Sequence, residues 1–149
     1  MTHQRFQHQF TMSAQANNDE VRVLLGRLRQ QLADFGVGEG TCASAELVLA
    51  EALNNITEHA YADQPGGPVQ VCAEVGSAML RFTLSDRGIP IPGSRLPKGQ
   101  HQDTQVSLED LPEGGFGWLL IREFTKSISY DRNDEENCLV MTIPNIPES

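Results

Sequence analysis

The long helical periodicities of this chain adjoin one another near its start, and the strand-like segments that follow come in neighbouring pairs. Val21, Leu24, Leu25, Leu28, Leu32 and Phe35 recur at three- and four-residue spacing behind Asn17, Asn18 and Asp19, which offer an N-cap. Gly36 and Gly38 close that helix. A second helix, capped by Thr41 or Ser44, runs to about Tyr61 without Gly or Pro. Asp63 to Pro68 is a turn by composition, and Val69–Val75 and Met79–Ser85 then read as strands joined at Gly76-Ser77. Trp118 to Phe124 is short and apolar behind Gly117 and predicts a third helix. Ser127–Asp131 and Cys138–Ile143 predict a closing hairpin around Arg132–Glu136, and Gln4–Thr11 adds a short strand at the start. The order β-α-α-β-β-loop-α-β-β is that of an α+β two-layer sandwich, with helices on one face of a mainly antiparallel, mixed sheet.

A chain of 149 residues has the length of one domain. At that size a single core buries roughly 70% of the unfolded surface, so no metal clip or disulfide is needed. Cys42, Cys72 and Cys138 are odd in number and widely spaced, which argues against a disulfide framework or a zinc site. The formal net charge of -9 argues against general affinity for nucleic acid or an anionic membrane. No apolar run approaches the roughly 20 residues of a membrane span, and MTHQRFQHQF has no apolar signal region. A cytoplasmic location is the expectation.

The second helix carries the first chemical signal. With Glu51 placed at 0° and about 100° per residue, Asn55 lies near 40° and Glu58 near -20°. Ala45, Leu49, Ala52, Leu53, Ile56 and Ala60 form a continuous stripe between about 100° and 200°. Glu51 and Asn55 sit together off the edge of this stripe and can converge on one point. A carboxamide oxygen is a hard ligand suited to Mg²⁺ beside phosphate oxygens, and a carboxylate can orient or deprotonate a nucleophile. On this helix alone the pair reads more simply as two solvated residues on an amphipathic helix, since such i, i+4 pairs are common.

Two further segments give the pair a context. Asp86-Arg-Gly88-Ile-Pro-Ile follows a predicted strand, and Glu113-Gly-Gly115-Phe-Gly117-Trp-Leu-Leu-Ile121 enters a predicted helix. With Glu51-Ala-Leu-Asn-Asn55-Ile-Thr-Glu-His59-Ala-Tyr61 they resemble, in order and spacing, the three nucleotide boxes of the GHKL (histidine-kinase-like) ATPases. The short length and the wording of the first box resemble the anti-sigma regulatory factor branch, the RsbW/SpoIIAB-type serine-protein kinases. The resemblance covers about residues 17–143 of a single domain spanning 1–149.

The resemblance implies a Bergerat ATP-binding fold with ATP and Mg²⁺ as cofactors. It implies Asn55 as the Mg²⁺ ligand and Glu51 as the catalytic, polarising carboxylate. Asp86 would accept a hydrogen bond from the adenine amino group, and Gly88 would let backbone approach the base. Gly115 and Gly117 would form the hinge and phosphate-binding turn of an ATP lid at about 89–114. The lid has no lysine-bearing phosphate motif. The adenine box usually reads Asp-x-Gly-x-Gly; here Pro90 holds the last position, so the local turn differs. The implied activity is that of a protein serine/threonine kinase acting on a STAS-type anti-sigma-factor antagonist. The same surface would alternately sequester a sigma factor, a homodimer is implied, and Arg22 best matches a partner-contacting arginine. The alternative is a non-catalytic, nucleotide-gated partner-binding module on the same fold.

Other residues read more plainly. His59, near 80° on the same wheel, is either a structural histidine at the helix end or a ligand contact. Trp118 is either a packing residue beside the lid or an adenine-stacking one. Arg22, Arg27 and Arg29 are either surface charges or partner contacts, and the charge run Asp131–Glu136 is most simply a solvated turn.

Overall fold

The structure, a computed structural model, describes residues 6–61, 67–90 and 115–147. In chain order these form β1 (Phe6–Gln15), α1 (Asn18–Asp34), α2 (Glu39–Asn55), a π-helical turn (Ile56–Ala60), β2 (Pro68–Gly76), β3 (Met79–Asp86), α3 (Gly115–Phe124), β4 (Ser127–Asn133) and β5 (Glu136–Pro144). The strands lie in the order β1-β2-β3-β5-β4, and all four pairings among them are antiparallel. The architecture is the expected α+β one, but the described sheet is antiparallel throughout rather than mixed. Each neighbour is reached by a hairpin or a return across the layer, so no parallel pair is formed among the described strands.

Alternation decides which face is covered. Val69, Val71, Ala73 and Val75 of β2, Leu80, Phe82 and Leu84 of β3, and Leu139, Met141 and Ile143 of β5 are buried. They meet Leu24, Leu28 and Leu32 of α1, Ala45, Val48, Leu49, Ala52 and Leu53 of α2, and Ile121 of α3 in one cluster. Phe82, Leu28, Leu32, Leu49 and Leu53 are fully inside, and each such side chain contributes about 1.5–3 kcal/mol by leaving water. The whole apolar stripe expected on the second helix, including Ile56 and Ala60, is buried.

Local chemistry sets the ends of α1. Asn17 is its N-cap: its Oδ1 accepts from Glu20 N at 2.9 Å, while Glu20 Oε1 accepts from Gln15 N at 3.0 Å. At the other end Gly36, at φ +87°, donates to Ala33 O at 2.9 Å, and Val37 N donates to Leu32 O at 3.0 Å. The second helix starts earlier than Thr41 or Ser44: Gly38 is its N-cap, with no side-chain bond. Arg29 of α1 instead ties that start down, bonding Glu39 and, at 2.6 Å, Glu46. Arg29 is therefore an interhelical brace rather than a free surface charge.

The second difference is larger. The α-helix ends at Asn55 and continues as a π-helical turn, with Tyr61 N donating to Ile56 O at 3.3 Å. Widening to i→i+5 bonding winds fewer degrees per residue, so the wheel positions of Glu58 and His59 do not hold past Ile56. Both side chains are exposed, with His59 Nε2 4.0 Å from Glu58 Oε2. β1 is longer than expected, and the β4–β5 turn is made by Asp134 and Glu135, both at positive φ.

Candidate functional site

Asp86 is the last residue of β3, opposite Val69 of β2 and Asn137 of β5. Strand parity places it on the covered face behind Leu80, Phe82 and Leu84, where only 6% of its surface remains exposed. A carboxylate there needs donors, and the end of the sheet supplies them. Its Oδ1 accepts from Gly88 N at 2.9 Å and from Asn137 Nδ2 at 2.8 Å. Among the described residues Oδ2 has no partner. Burial pushes the Asp86 carboxyl above the usual carboxylate range. The Asn137 and Gly88 donors and the nearby Arg132 charge pull it down, and Glu136 adds to the rise.

Gly88 turns the chain against the end of the second helix. A Cβ at Gly88 would lie 2.2 Å from Ala60 O and 2.5 Å from Ala60 C, and the next residue, Ile89, donates its N–H to Ala60 O at 2.8 Å. The glycine requirement is thus set by close packing of backbone on backbone. Tyr61, also buried, seals the other side. Its hydroxyl accepts from Arg87 N at 2.8 Å and donates to Pro68 O at 2.9 Å, and burial raises its pKa. Pro90 follows as an exposed residue.

The π-helical turn therefore joins two of the expected boxes. Asn55 immediately precedes this turn, and Glu51 stands one helical turn further back; both are half-buried. Asn55 Nδ2 is the one buried side-chain nitrogen or oxygen among the described residues with no hydrogen-bond partner. An orphaned buried amide costs about 1–3 kcal/mol relative to a satisfied one. Rotation of a carboxamide by 180° exchanges its nitrogen and oxygen, so the same position can present a donor to phosphate or an acceptor to a cation. Glu51, on the same helix face, has no polar partner among the described residues.

Gly115 and Gly117 are the first and third residues of α3, so they lie in its first turn rather than in a turn before it. The first amides of a helix have no intrahelical acceptor and point out along the axis. The expected lid at 89–114 lies outside the described residues beyond Pro90. Trp118 is 6% exposed and belongs to the core cluster, which is the packing role. Arg22 is exposed on α1 and without a polar partner among the described residues.

The Asp131–Glu136 run is not merely a solvated turn. Arg132 Nη1 donates to Gly88 O at 2.7 Å and to Asn137 Oδ1 at 2.9 Å, and Tyr130 Oη donates to that same oxygen at 2.7 Å. Arg132, Asn137 and Tyr130 escape a reading by composition because charged and amide residues near a turn look like surface. Parity would have found them: in a strand running to Asn133, Arg132 shares the face of Ile128 and Tyr130. No group of three or more His, Cys, Asp or Glu among the described residues is arranged to hold a metal by itself. No described helix is long and apolar enough to cross a membrane.

Comparison with known proteins adds the following. Residues 14–143 match the histidine kinase-like ATPase domain. The serine/threonine-protein kinase BtrW of Bordetella bronchiseptica is 34% identical over 108 residues, covering 69% of this chain and 70% of that protein. An anti-sigma F factor of Shouchella clausii is 27% identical over 81 residues, covering 54% of this chain and 53% of that protein. Among solved structures, the RsbU and RsbW domains of a Mycobacterium tuberculosis protein share the fold with a TM-score of 0.65 at 15% identity, over 95% of this chain and 34% of that one. The SiaB–SiaC complex from Pseudomonas aeruginosa gives 0.59 at 11% identity, over 95% of this chain and 91% of that one. This chain thus spans about half of the Shouchella relative and about a third of the mycobacterial chain. The pattern matches from β1 to the end of β5, and the chain belongs to the histidine kinase-like ATPase domain family.

Proposed function

We propose that this chain is an ATP-dependent serine/threonine-protein kinase that phosphorylates a STAS-type anti-sigma-factor antagonist. ATP binding follows from the family, and the kinase activity from similarity to a relative named as a serine/threonine-protein kinase. The observation that carries the site assignment is the Asn55 amide, orphaned among the described residues, one turn past a Glu51 with no polar partner among them, on the helix whose end packs on Gly88.

In this reading Asn55 turns its carboxamide oxygen to Mg²⁺, using the atom position that the protein itself leaves unsatisfied. The ion, when bound, supplies charge neutralisation for the phosphates. Glu51 orients and accepts the proton of the partner's hydroxyl, since phosphoryl transfer asks mainly for positioning and an oriented nucleophile. Asp86 Oδ2 accepts from the adenine amino group. Gly88 holds the backbone close, and Gly115 and Gly117 give phosphate access to the first amides of α3. Arg22, exposed on α1, contacts an acidic partner surface. A sigma factor alternates on that surface, and the chain acts as a homodimer.

The test is one incubation of the purified protein with labelled Mg-ATP and the STAS-type proteins of the same cell. Label arriving on a serine or threonine of one of them is the expected result. Intact nucleotide binding with no transfer to any of them would replace the kinase with a nucleotide-gated binding module.

A further inference from the structure

The hydrogen bonds around Asp86 have a direction, and Asn137 transmits it. Tyr130 and Arg132 both donate to Asn137 Oδ1, at 2.7 and 2.9 Å. Two donors on one carboxamide atom require that atom to be the oxygen. The NH₂ end must therefore face the other way. There it donates to Asp86 Oδ1 at 2.8 Å, with the carbonyls of Gly88 and Ile89 at 3.2 and 3.1 Å. Arg132 secures the same carbonyl edge from outside, through its 2.7 Å bond to Gly88 O. Neither Tyr130 nor Arg132 bonds Asp86 itself.

This arrangement bears on what Asp86 can recognise. An ionised carboxylate only accepts, so its free Oδ2 suits the exocyclic amino group of a 6-aminopurine and repels the carbonyl of a 6-oxopurine. A protonated carboxyl can donate, and that preference disappears. Burial favours the protonated form, so selectivity depends on what opposes it. The groups facing Asp86 are Arg132 from β4, Asn137 and Glu136 from β5, Tyr61 from beyond the π-helical turn, and the Gly88 N–H from its own chain end. Of these, Asn137, the Gly88 N–H and Arg132 favour the carboxylate.

We infer that Arg132 and Tyr130 are positioning residues that, through Asn137, hold Asp86 as an acceptor-only carboxylate and so make the site prefer a 6-aminopurine nucleotide to a 6-oxopurine one. The inference rests on the nucleotide site proposed above and goes beyond it by naming what sets base selectivity. It also explains a Gly88–Ile89 edge that keeps its position although proline follows: three hydrogen bonds from Arg132 and Asn137 hold its two carbonyls.

The test is calorimetric titration of the whole chain with Mg-ATP and with Mg-ITP from about pH 4, the ordinary carboxylate value, up to about pH 8. Phosphate ionisation affects both nucleotides alike and cancels in their affinity ratio. For the wild type the ratio should favour ATP at neutral pH and fall as Asp86 takes up a proton. In Arg132→Leu the midpoint of that fall should move to higher pH, and the neutral-pH ratio should drop about tenfold, the scale of one charge-assisted hydrogen bond. Tyr130→Phe, which removes a single hydroxyl and preserves packing, should shift the midpoint the same way by less. Equal weakening of both nucleotides with an unmoved midpoint, in both variants, would make the two residues merely structural and overturn the inference. A wild type that binds ATP and ITP equally at every pH would also overturn it while leaving a nucleotide site in place. A wild type that binds neither would instead defeat the nucleotide reading on which it rests.

Discussion

Gly88 and Ala60 are in backbone contact: a Cβ on the first would stand 2.2 Å from the carbonyl oxygen of the second, which already accepts Ile89 N–H at 2.8 Å. This contact fastens the end of β3, with Asp86, to the end of the helix that carries Glu51 and Asn55. Neither chain can yield cheaply, because the obstructing atoms are main chain. Gly88→Ala should cost about 1–3 kcal/mol, the range for overpacking a tight site. A lowered urea midpoint at unchanged slope is the expected signature, and nucleotide affinity should fall with it. Wild-type stability would show that the contact opens without penalty.

Asn55 should separate stability from binding. Its Nδ2 is buried without a partner among the described residues, so Asn55→Ala removes a group unsatisfied there. Thermal stability without nucleotide should stay level or rise, by up to about 1 kcal/mol. Mg-dependent ATP affinity should nevertheless be lost, as titrations with and without Mg²⁺ would measure. Unchanged Mg-ATP affinity would remove Asn55 from the metal site.

Glu51 should separate binding from transfer. In Glu51→Gln the side chain keeps its shape and loses its basicity, so ATP should bind nearly as before. Phosphoryl transfer to the partner protein should fall by about 10²–10⁴, the contribution of a positioned general base. Single-turnover transfer with pre-bound nucleotide is the appropriate measurement, and a wild-type rate would take Glu51 out of the chemistry.

Asp86 should link selectivity to pH-dependent stability. Burial holds its folded-state pKa above the unfolded value. Its contribution to stability is therefore fully present below the unfolded pKa of about 4 and is lost as pH rises through the folded one. Asp86→Asn carries no charge at any pH. Its stability relative to wild type should increase from about pH 4 upward until the wild-type carboxyl is fully ionised. At neutral pH it should bind ATP at least tenfold more weakly, since an acceptor for the amino group is lost, about 1.4 kcal/mol or more. Urea midpoints across that pH range and nucleotide titration at neutral pH measure the two effects.

Much of this protein was legible one element at a time, because the information is local. The apolar stripe from Ala45 to Ala60 needs only the helical repeat, Asn17 offers the N-cap of the helix it precedes, and Asp86 and Gly88 stand at the end of an alternating strand. The α+β class follows from the order of such elements. The spacing of Glu51 and Asn55 likewise placed the pair on one helix face.

Tertiary structure decided whatever depends on a distant neighbour. Arg132 and Asn137 are charge and amide beside a turn until β5 pairs with β3 and sets Asn137 opposite Asp86, 51 positions away in sequence. The switch to a π-helical turn at Ile56 cannot be seen in a 100° wheel, because what it accommodates is the Gly88–Ile89 backbone arriving from another strand. Gly88 itself shows the division most clearly. Its identity could be read from the chain, but its neighbour, the Ala60 carbonyl, was set by packing, since which backbone a missing Cβ admits depends on what the fold brings there.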